Sequence, residues 1–497
     1  MTPRVAILGA GFSGMAMAIA LKGRGFADFT IYEKAEDFGG TWRENAYPGV
    51  ACDVPSHLYS FSYEPNPAWS ERYSSGAEIW DYMRACAEKH DLYARAEFGR
   101  KIVRIHHDGA RWTIDFADGA TARADVVVSG LGGLHEPNRP EFPGRAAFKG
   151  PVFHTAKWRD DVDLSGRRVA VIGSAASAAQ VVPAIAPLVA HLDLYQRTAN
   201  WVAPREAYAY PDWAKALFKT FPLAARAYRF WYFMLLEARH NAFLERDNWV
   251  KRYFTGELKK YLQREVKDEA LRAKLTPDYP LGCKRIIISD DYLPALQREN
   301  VELVTDGIER FEEDGVRTKD GRLRPADVIV LATGFRPFNL LASVEVTGPG
   351  GRTLRQAWAK GVAAHRTVAV PGFPNFFLLL GPNSGLGHNS VILMIEAQVK
   401  YVMQLIEEAA RGVLLAPSEA AAAAYDKRLQ QALAHRVWAA GCGAWYVDAE
   451  GRNFTLYPHN VRTFLKEMKR PDLSEYVLDP ARGVASRRRF ERYFNGR

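Results

Sequence analysis

The hydrophobic pattern opens with a short apolar run, Arg4 to Leu8, that stops at Gly9 and is followed by the small, apolar stretch Met15 to Lys22. A run of that length before a glycine turn predicts a buried strand, and the small-residue stretch predicts the helix that packs on it. Phe29 to Tyr32 repeats the strand pattern. Further on, two segments share one grammar. Arg104 to Gly133 holds the turns Asp108-Gly109 and Asp118-Gly119 and closes on ADVVVSGLGG; Ile308 to Gly334 holds Asp314-Gly315 and Asp320-Gly321 and closes on ADVIVLATGF. Each reads as a β-meander ending in a buried strand, and each follows a glycine-rich strand-to-helix turn. The pattern predicts an α/β chain with two Rossmann-like dinucleotide-binding units.

The two turns carry the candidate chemistry. In the first, Gly9, Gly11 and Gly14 form G-x-G-x-x-G: the first glycine makes the turn, the second admits a pyrophosphate, and the third packs helix on strand. Glu33 ends the next strand, 24 residues after Gly9, where an acid accepts hydrogen bonds from a ribose diol. In the second, Val169 to Ile172 leads into Gly173, Ser174, Ala175, Ser177 and Ala178, and Arg197 stands 24 residues after Gly173. Base replaces acid at the matched offset, which favours a 2′-phosphate and hence NADPH over NADH. Ala175 takes the place of the middle glycine; were positive φ required there, the cost would be roughly 1–2 kcal/mol, about tenfold in affinity.

Between and after the turns lie segments without a regular period. Gly39 to Tyr63 is rich in glycine, proline and aromatics, and Asp53 stands out in its apolar neighbourhood. Phe148, Gly150, His154 and Trp158 form F-x-G-x-x-x-H-x-x-x-W, which no secondary-structure period demands. Arg205 to Pro280 reads as a helical insertion in the second unit, with its aromatic stretch Phe230 to Phe233 expected in a core and contact with a membrane or substrate as the alternative. Lys284 and Arg285 flank a run of isoleucines, Pro371 to Ser390 runs from a strand into a glycine-rich loop before the helix Ile395 to Ala410, and CGAWYVDAEGRN from Cys442 closes the series. The expected domains are 1–145 with 335–497, 150–330, and the insertion 205–280 within the latter.

Composition narrows the class without naming it. Cys52, Cys86, Cys283 and Cys442 lie far apart with no C-x-x-C, so no disulfide, no metal cluster and a reducing, cytoplasmic setting are expected. The apolar N-terminus is better explained by its glycine motif than as a signal peptide. No run is long enough for a transmembrane span. Of the net charge of +9, more than half comes from the tail, which holds six arginines and one glutamate between Arg482 and Arg497. That tail reads as solvated, with a nucleic-acid patch the lesser alternative and no nucleic-acid partner expected; the rest of the excess suits anionic cofactors.

Together the motifs resemble those of the class B flavoprotein monooxygenases, and among them the Baeyer–Villiger monooxygenases, over nearly the whole chain. The carriers are GAGFSG at Gly9 to Gly14, GGTW at Gly39 to Trp42, YPGVACD at Tyr47 to Asp53, the fingerprint Phe148 to Trp158, CKR at Cys283 to Arg285, ATG at Ala332 to Gly334, and CGAWY. The resemblance implies FAD in the first unit and NADPH in the second, with dioxygen as co-substrate. A ketone would be converted to an ester or lactone through a flavin 4a-peroxide; sulfur or nitrogen oxygenation is the alternative. It further implies Arg285 and Asp53 as the catalytic pair. FAD contacts fall on Ser13, Glu33, Gly40, Thr41, Trp42 and Tyr59, and NADPH contacts on Gln180, Arg197, Thr198 and Lys284. Trp445 is implied on a loop over the nicotinamide, and His154 in coupling between domains. Arg159 after Trp158, where the family pattern often has proline or aspartate, and Ala175 are departures. A disulfide-reductase reading lacks the cysteine pair it needs, and a flavin-binding regulator that has lost NADPH is the non-enzymatic alternative. Neither the particular substrate nor an oligomeric state follows.

Overall fold

A computed structural model of the chain describes residues 2–134, 136–243, 248–335, 341, 343–448 and 450–480; the arginine-rich segment 482–497 lies outside them. Two five-stranded sheets organise it. In the first, Val5–Leu8 is central and pairs in parallel with Phe29–Tyr32 on one side and Val126–Ser129 on the other, with Ala96–Glu97 and Phe376–Leu378 at the edges. In the second, Arg168–Ile172 is central between His191–Tyr195 and Val328–Leu331, with Val301–Val304 and Val152–His154 outermost. The two sheets have the same strand plan. They differ in where the fifth strand comes from, late in the chain for the first sheet and just before the central strand for the second. The apolar runs are short because central parallel strands bury both faces; all four residues of Val5–Leu8 and of Val126–Ser129 are buried.

The repeated meander is present twice, as Ile102–His107, Trp112–Phe116 and Thr121–Ala124, and as Ile308–Glu312, Gly315–Thr318 and Leu323–Pro325. Each glycine turn launches its helix, Phe12–Gly23 and Ala176–Ile185. The late glycine loop leads into Val391–Ala409. The third glycine of the first turn is fixed by packing, since a Cβ on Gly14 would lie 1.9 Å from the Gly9 carbonyl oxygen.

The insertion is helical, as Asp212–Thr220, Pro222–Ala238, Trp249–Glu265 and Glu269–Leu275. Val202–Ala203 and Ile287–Ile288 pair across its two ends and close it off. Two expectations need correction. Phe230 and Trp231 are 61% and 54% exposed, and of the stretch Phe230 to Phe233 only Tyr232 is fully buried. The helix has just one inward face, so consecutive aromatics cannot all share it. The cysteines also do not stay apart: Cys283 and Cys442, 159 positions apart, form a disulfide with their Cα atoms 6.3 Å from each other. The end of the insertion folds back against the C-terminal loop, a proximity that sequence spacing cannot show. The inference of a reducing compartment therefore loses its basis. Cys52 and Cys86 are free and buried.

Gly14→Ala should therefore cost at least about 1–3 kcal/mol of stability through overpacking, read as a lower thermal midpoint, whereas Gly256→Ala, in a helix with open space around the added Cβ, should not lower it.

Candidate active site

The loop after the first sheet's second strand brings Gly39 and Gly40 over the first glycine turn. A Cβ on Gly40 would approach the Gly11 Cα to 2.9 Å, while the nearest atom to a Cβ on Gly11 is the Gly40 Cα at 3.6 Å. The two glycines keep each other's backbone bare. Thr41–Glu44 then forms one helical turn, and Trp42 donates from Nε1 to the Tyr59 hydroxyl at 3.2 Å. Ser13 is buried in the launched helix. Glu33 is buried, and its carboxylate accepts from the backbone N–H of Ala10 at 2.8 Å and of Ala35 at 2.9 Å. It thus braces the glycine turn itself, a role the ribose reading did not include, and each oxygen retains accepting capacity.

At the second turn the helix N-terminus is open, with Ala175 and Ala176 exposed. Ala175 has φ −88° and ψ −162°, close to the −82° and −172° of Gly11. The position needs no left-handed backbone, so the strain entertained for an alanine there does not arise. Gly173 does need it, at φ +109°. Ser174 and Ala178 are buried and Ser177 is half-buried beside them; Asn200 donates to the Ser174 carbonyl at 3.1 Å. Gln180 faces the first unit: it donates to the Ala51 carbonyl at 2.8 Å and accepts from the Tyr47 hydroxyl at 2.9 Å. The resulting contact is tight, since a Cβ on Gly49 would lie 2.4 Å from the Gln180 carbonyl oxygen.

Arg285 and Asp53 meet across this junction. Arg285 Nε donates to Asp53 Oδ2 at 2.9 Å and Nη2 makes a second bond to the same oxygen. The Asp53 charge raises the pKa of the guanidinium against the opposing effect of burial. Its side chain is 40% exposed. Tyr446, which the motif reading noted without a role, is buried behind it. Burial pushes its phenol pKa up, Arg285's charge opposes this, and the phenol has a backbone hydrogen bond at Arg285. Trp445, next to it, is 41% exposed with its ring centroid 4.5 Å from that of Tyr446. The disulfide ties this loop to the residue immediately before Lys284.

Lys284 and exposed Arg197 form a second convergence of charge. Burial lowers the Lys284 pKa first, and the Arg197 cation lowers it further; its ammonium sits 4.7 Å from the Tyr279 ring centroid. Two cations held close enough to repel each other are suited to a shared dianion. Thr198 is half-buried next to Arg197, its carbonyl 3.5 Å from the Ser174 hydroxyl.

The fingerprint is not part of this constellation. Phe148 is buried near Phe311, a Cβ on Gly150 would lie 2.2 Å from the Asp327 carbonyl oxygen, and Trp158 packs edge-on against Phe153 at 5.2 Å. His154 is buried in an edge strand of the second sheet and accepts from the Ala156 N–H at 3.0 Å. Burial lowers its pKa to about 4. Sequence reasoning also passed over Glu237, buried near the end of Pro222–Ala238, whose carboxylate accepts from the N–H of Arg462 at 2.9 Å and lies 3.5 Å from His388 in the glycine-rich loop. Burial raises the Glu237 pKa, but its hydrogen bonds and His388 outweigh that and hold it low. Among the described residues His191, Asp193 and Glu302 are the one group spaced for a metal; the Arg324 guanidinium is 2.7 Å from Glu302 there.

A model of flavin-binding monooxygenase-like proteins matches residues 2–343. The chain belongs to that family. A Baeyer–Villiger monooxygenase of Streptomyces coelicolor is 42% identical over 486 residues, covering 96% of this chain and 93% of that protein. One from Pseudomonas aeruginosa is 41% identical, covering 96% and 91%. A solved structure of an oxidized steroid monooxygenase bound to NADP matches with a TM-score of 0.85 at 28% identity, covering 97% of this chain and all of that one. The family fold is therefore a two-sheet flavin monooxygenase fold, and no described helix is long and apolar enough to cross a membrane.

Because the folded pKa of His154 lies below its ordinary value of 6.5, the unfolded chain binds the proton first and stability should fall as pH drops from 6.5 toward 4. The loss attributable to this residue is about 3 kcal/mol, and His154→Gln should flatten that part of a stability–pH curve measured by denaturant unfolding.

Proposed function

We propose that this chain is an NADPH- and FAD-dependent Baeyer–Villiger monooxygenase, converting a ketone and dioxygen to an ester or lactone. Residues 1–145 with 335–497 would hold FAD and 150–330 NADPH, with 205–280 as the insertion. The observation that carries the reading is the Arg285–Asp53 pair, in which a cation after the insertion is held by an acid from the loop of the first unit. The bare backbones of Gly11 and Gly40 fit a pyrophosphate, and the open helix N-terminus at Ala175 fits a second. Bound FAD, reduced by NADPH, supplies the oxygen-activating chemistry.

The chain's own residues do the remaining work. Arg285 provides positive charge for an oxyanion that develops at the reacting oxygen, which counts for more in a site that limits water. Asp53 orients the guanidinium and keeps its charge compensated when no anion is present. Tyr446 holds the Arg285 backbone, and Trp445 stands at the rim. Trp42 and Tyr59 form a hydrogen-bonded aromatic wall beside Asp53. Lys284 and Arg197 bind the 2′-phosphate and so select NADPH. The substrate is a small molecule.

Arg285→Ala should retain flavin absorbance but lose ester formation from a ketone by at least about a hundredfold, the scale for removal of one oxyanion-stabilising group; ester formation at the parental rate would refute the assigned role. Replacing both Arg197 and Lys284 with alanine should raise KM for NADPH about a hundredfold or more, taking roughly 1.5–3 kcal/mol for each charged hydrogen bond, and leave KM for NADH little changed.

A further inference from the structure

The insertion exposes a surface that the proposed reaction does not use. Between Trp213 and Met234, seven large apolar side chains face water: Trp213 (70%), Leu217, Phe221 (60%), Leu223 (75%), Phe230, Trp231 and Met234. Their spacing is helical. Phe230, Trp231 and Met234 follow Leu223 by seven, eight and eleven residues, about two and three helical turns along Pro222–Ala238, and Leu217 follows Trp213 by four along Asp212–Thr220. The two helices pack on each other through Ala214, Phe218 and Ala225, so the exposed side chains are carried by two neighbouring helices.

This apolar face is not an unsatisfied inner face. The longer helix already buries Tyr232, Leu236 and Glu237, and Arg229 bolts it to the first unit by donating to the His57 carbonyl at 2.7 Å and the Leu58 carbonyl at 3.1 Å. The outward stripe is additional, and a cluster of this size marks a contact surface. Lys219 and Arg226 are exposed and Lys215 half-buried on the same two helices, against one exposed carboxylate, Asp212. The net charge of the whole chain is +9, of which the six arginines and one glutamate in 482–497 supply more than half. A second copy would bring cations against the same cations across a two-fold interface. Tryptophan and phenylalanine edged with lysine and arginine match instead the boundary of an anionic bilayer.

We infer that the outward face of helices Asp212–Thr220 and Pro222–Ala238 docks this protein peripherally on anionic phospholipid membranes. Trp213, Phe221, Phe230 and Trp231 enter the headgroup layer, while Lys219 and Arg226 meet the lipid phosphates. The inference is independent of the oxygenation chemistry.

The test is flotation of the full-length, FAD-loaded protein with vesicles of phosphatidylcholine alone or mixed with phosphatidylglycerol. Binding is expected to the mixed vesicles, weakening with salt and accompanied by a blue shift of tryptophan emission. Replacing Lys219 and Arg226 with alanine should weaken it about 30-fold, at roughly 1 kcal/mol per basic residue near the surface. F230S with W231S should reduce the blue shift to the part that Trp213 contributes and weaken binding at least as much, and a chain ending at Pro480 should still bind. Flavin content and thermal midpoint check folding, and L223S with M234S serves if the aromatic pair fails that check. The inference is overturned if the protein stays in solution with the mixed vesicles or if the serine variants bind like the parent, which would place binding in the tail. It is equally overturned if sedimentation shows a vesicle-independent dimer that these substitutions dissociate.

Discussion

The ion pair between Arg285 and Asp53 is the constraint on which the candidate site depends. The partners come from loops 232 positions apart, one after the first sheet's second strand and the other at the end of the helical insertion. Each loop is held separately: Asp53 lies beside the Ala51–Gln180 contact, and Arg285 between the disulfide and Tyr446. A cation so placed stays charged, compensated and pointed, which is what stabilising a transient oxyanion requires. Shifting either loop by an ångström would separate the charge from the chemistry.

The two sheets supply the frame. Both present a glycine turn and a helix N-terminus, and the acid-to-base exchange between Glu33 and Arg197 gives the two turns different electrostatics. The Glu33 carboxylate braces the first turn by accepting from the Ala10 N–H. The repulsion between Lys284 and Arg197 is a cost that a phosphate dianion, if bound there as proposed, would offset. The fingerprint residues lie apart from the Arg285–Asp53 pair. Gly150 allows backbone contact at Asp327, and buried, uncharged His154 lies in an edge strand beside the crossing between units.

Much of this was legible in the sequence because it depends on local patterns. Buried parallel strands leave short apolar runs, meanders leave paired D-G turns, and a tight helix approach leaves Gly14. The matched 24-residue offsets were readable for the same reason. What depended on three-dimensional closure was not. The Cys283–Cys442 bond needs the insertion to fold back across 159 positions. The burial of Tyr446 needs the C-terminal loop to lie on Arg285. The direction of Phe230 and Trp231 needs the helix's rotation about its axis, which an aromatic run on its own leaves open. For Ala175 the backbone strain hinged on one dihedral angle, and φ −88° shows that alanine adopts this backbone without it.

The central claim is that the chain transfers one atom of dioxygen to a ketone at the expense of NADPH. Its most direct test is product mass spectrometry after turnover under ¹⁸O-labelled dioxygen with NADPH and a panel of ketones. The account predicts an ester or lactone carrying one ¹⁸O atom, and none when the label is in water instead. NADPH consumption that releases only labelled hydrogen peroxide across the panel, or an oxygenated product whose label comes from water, would contradict it.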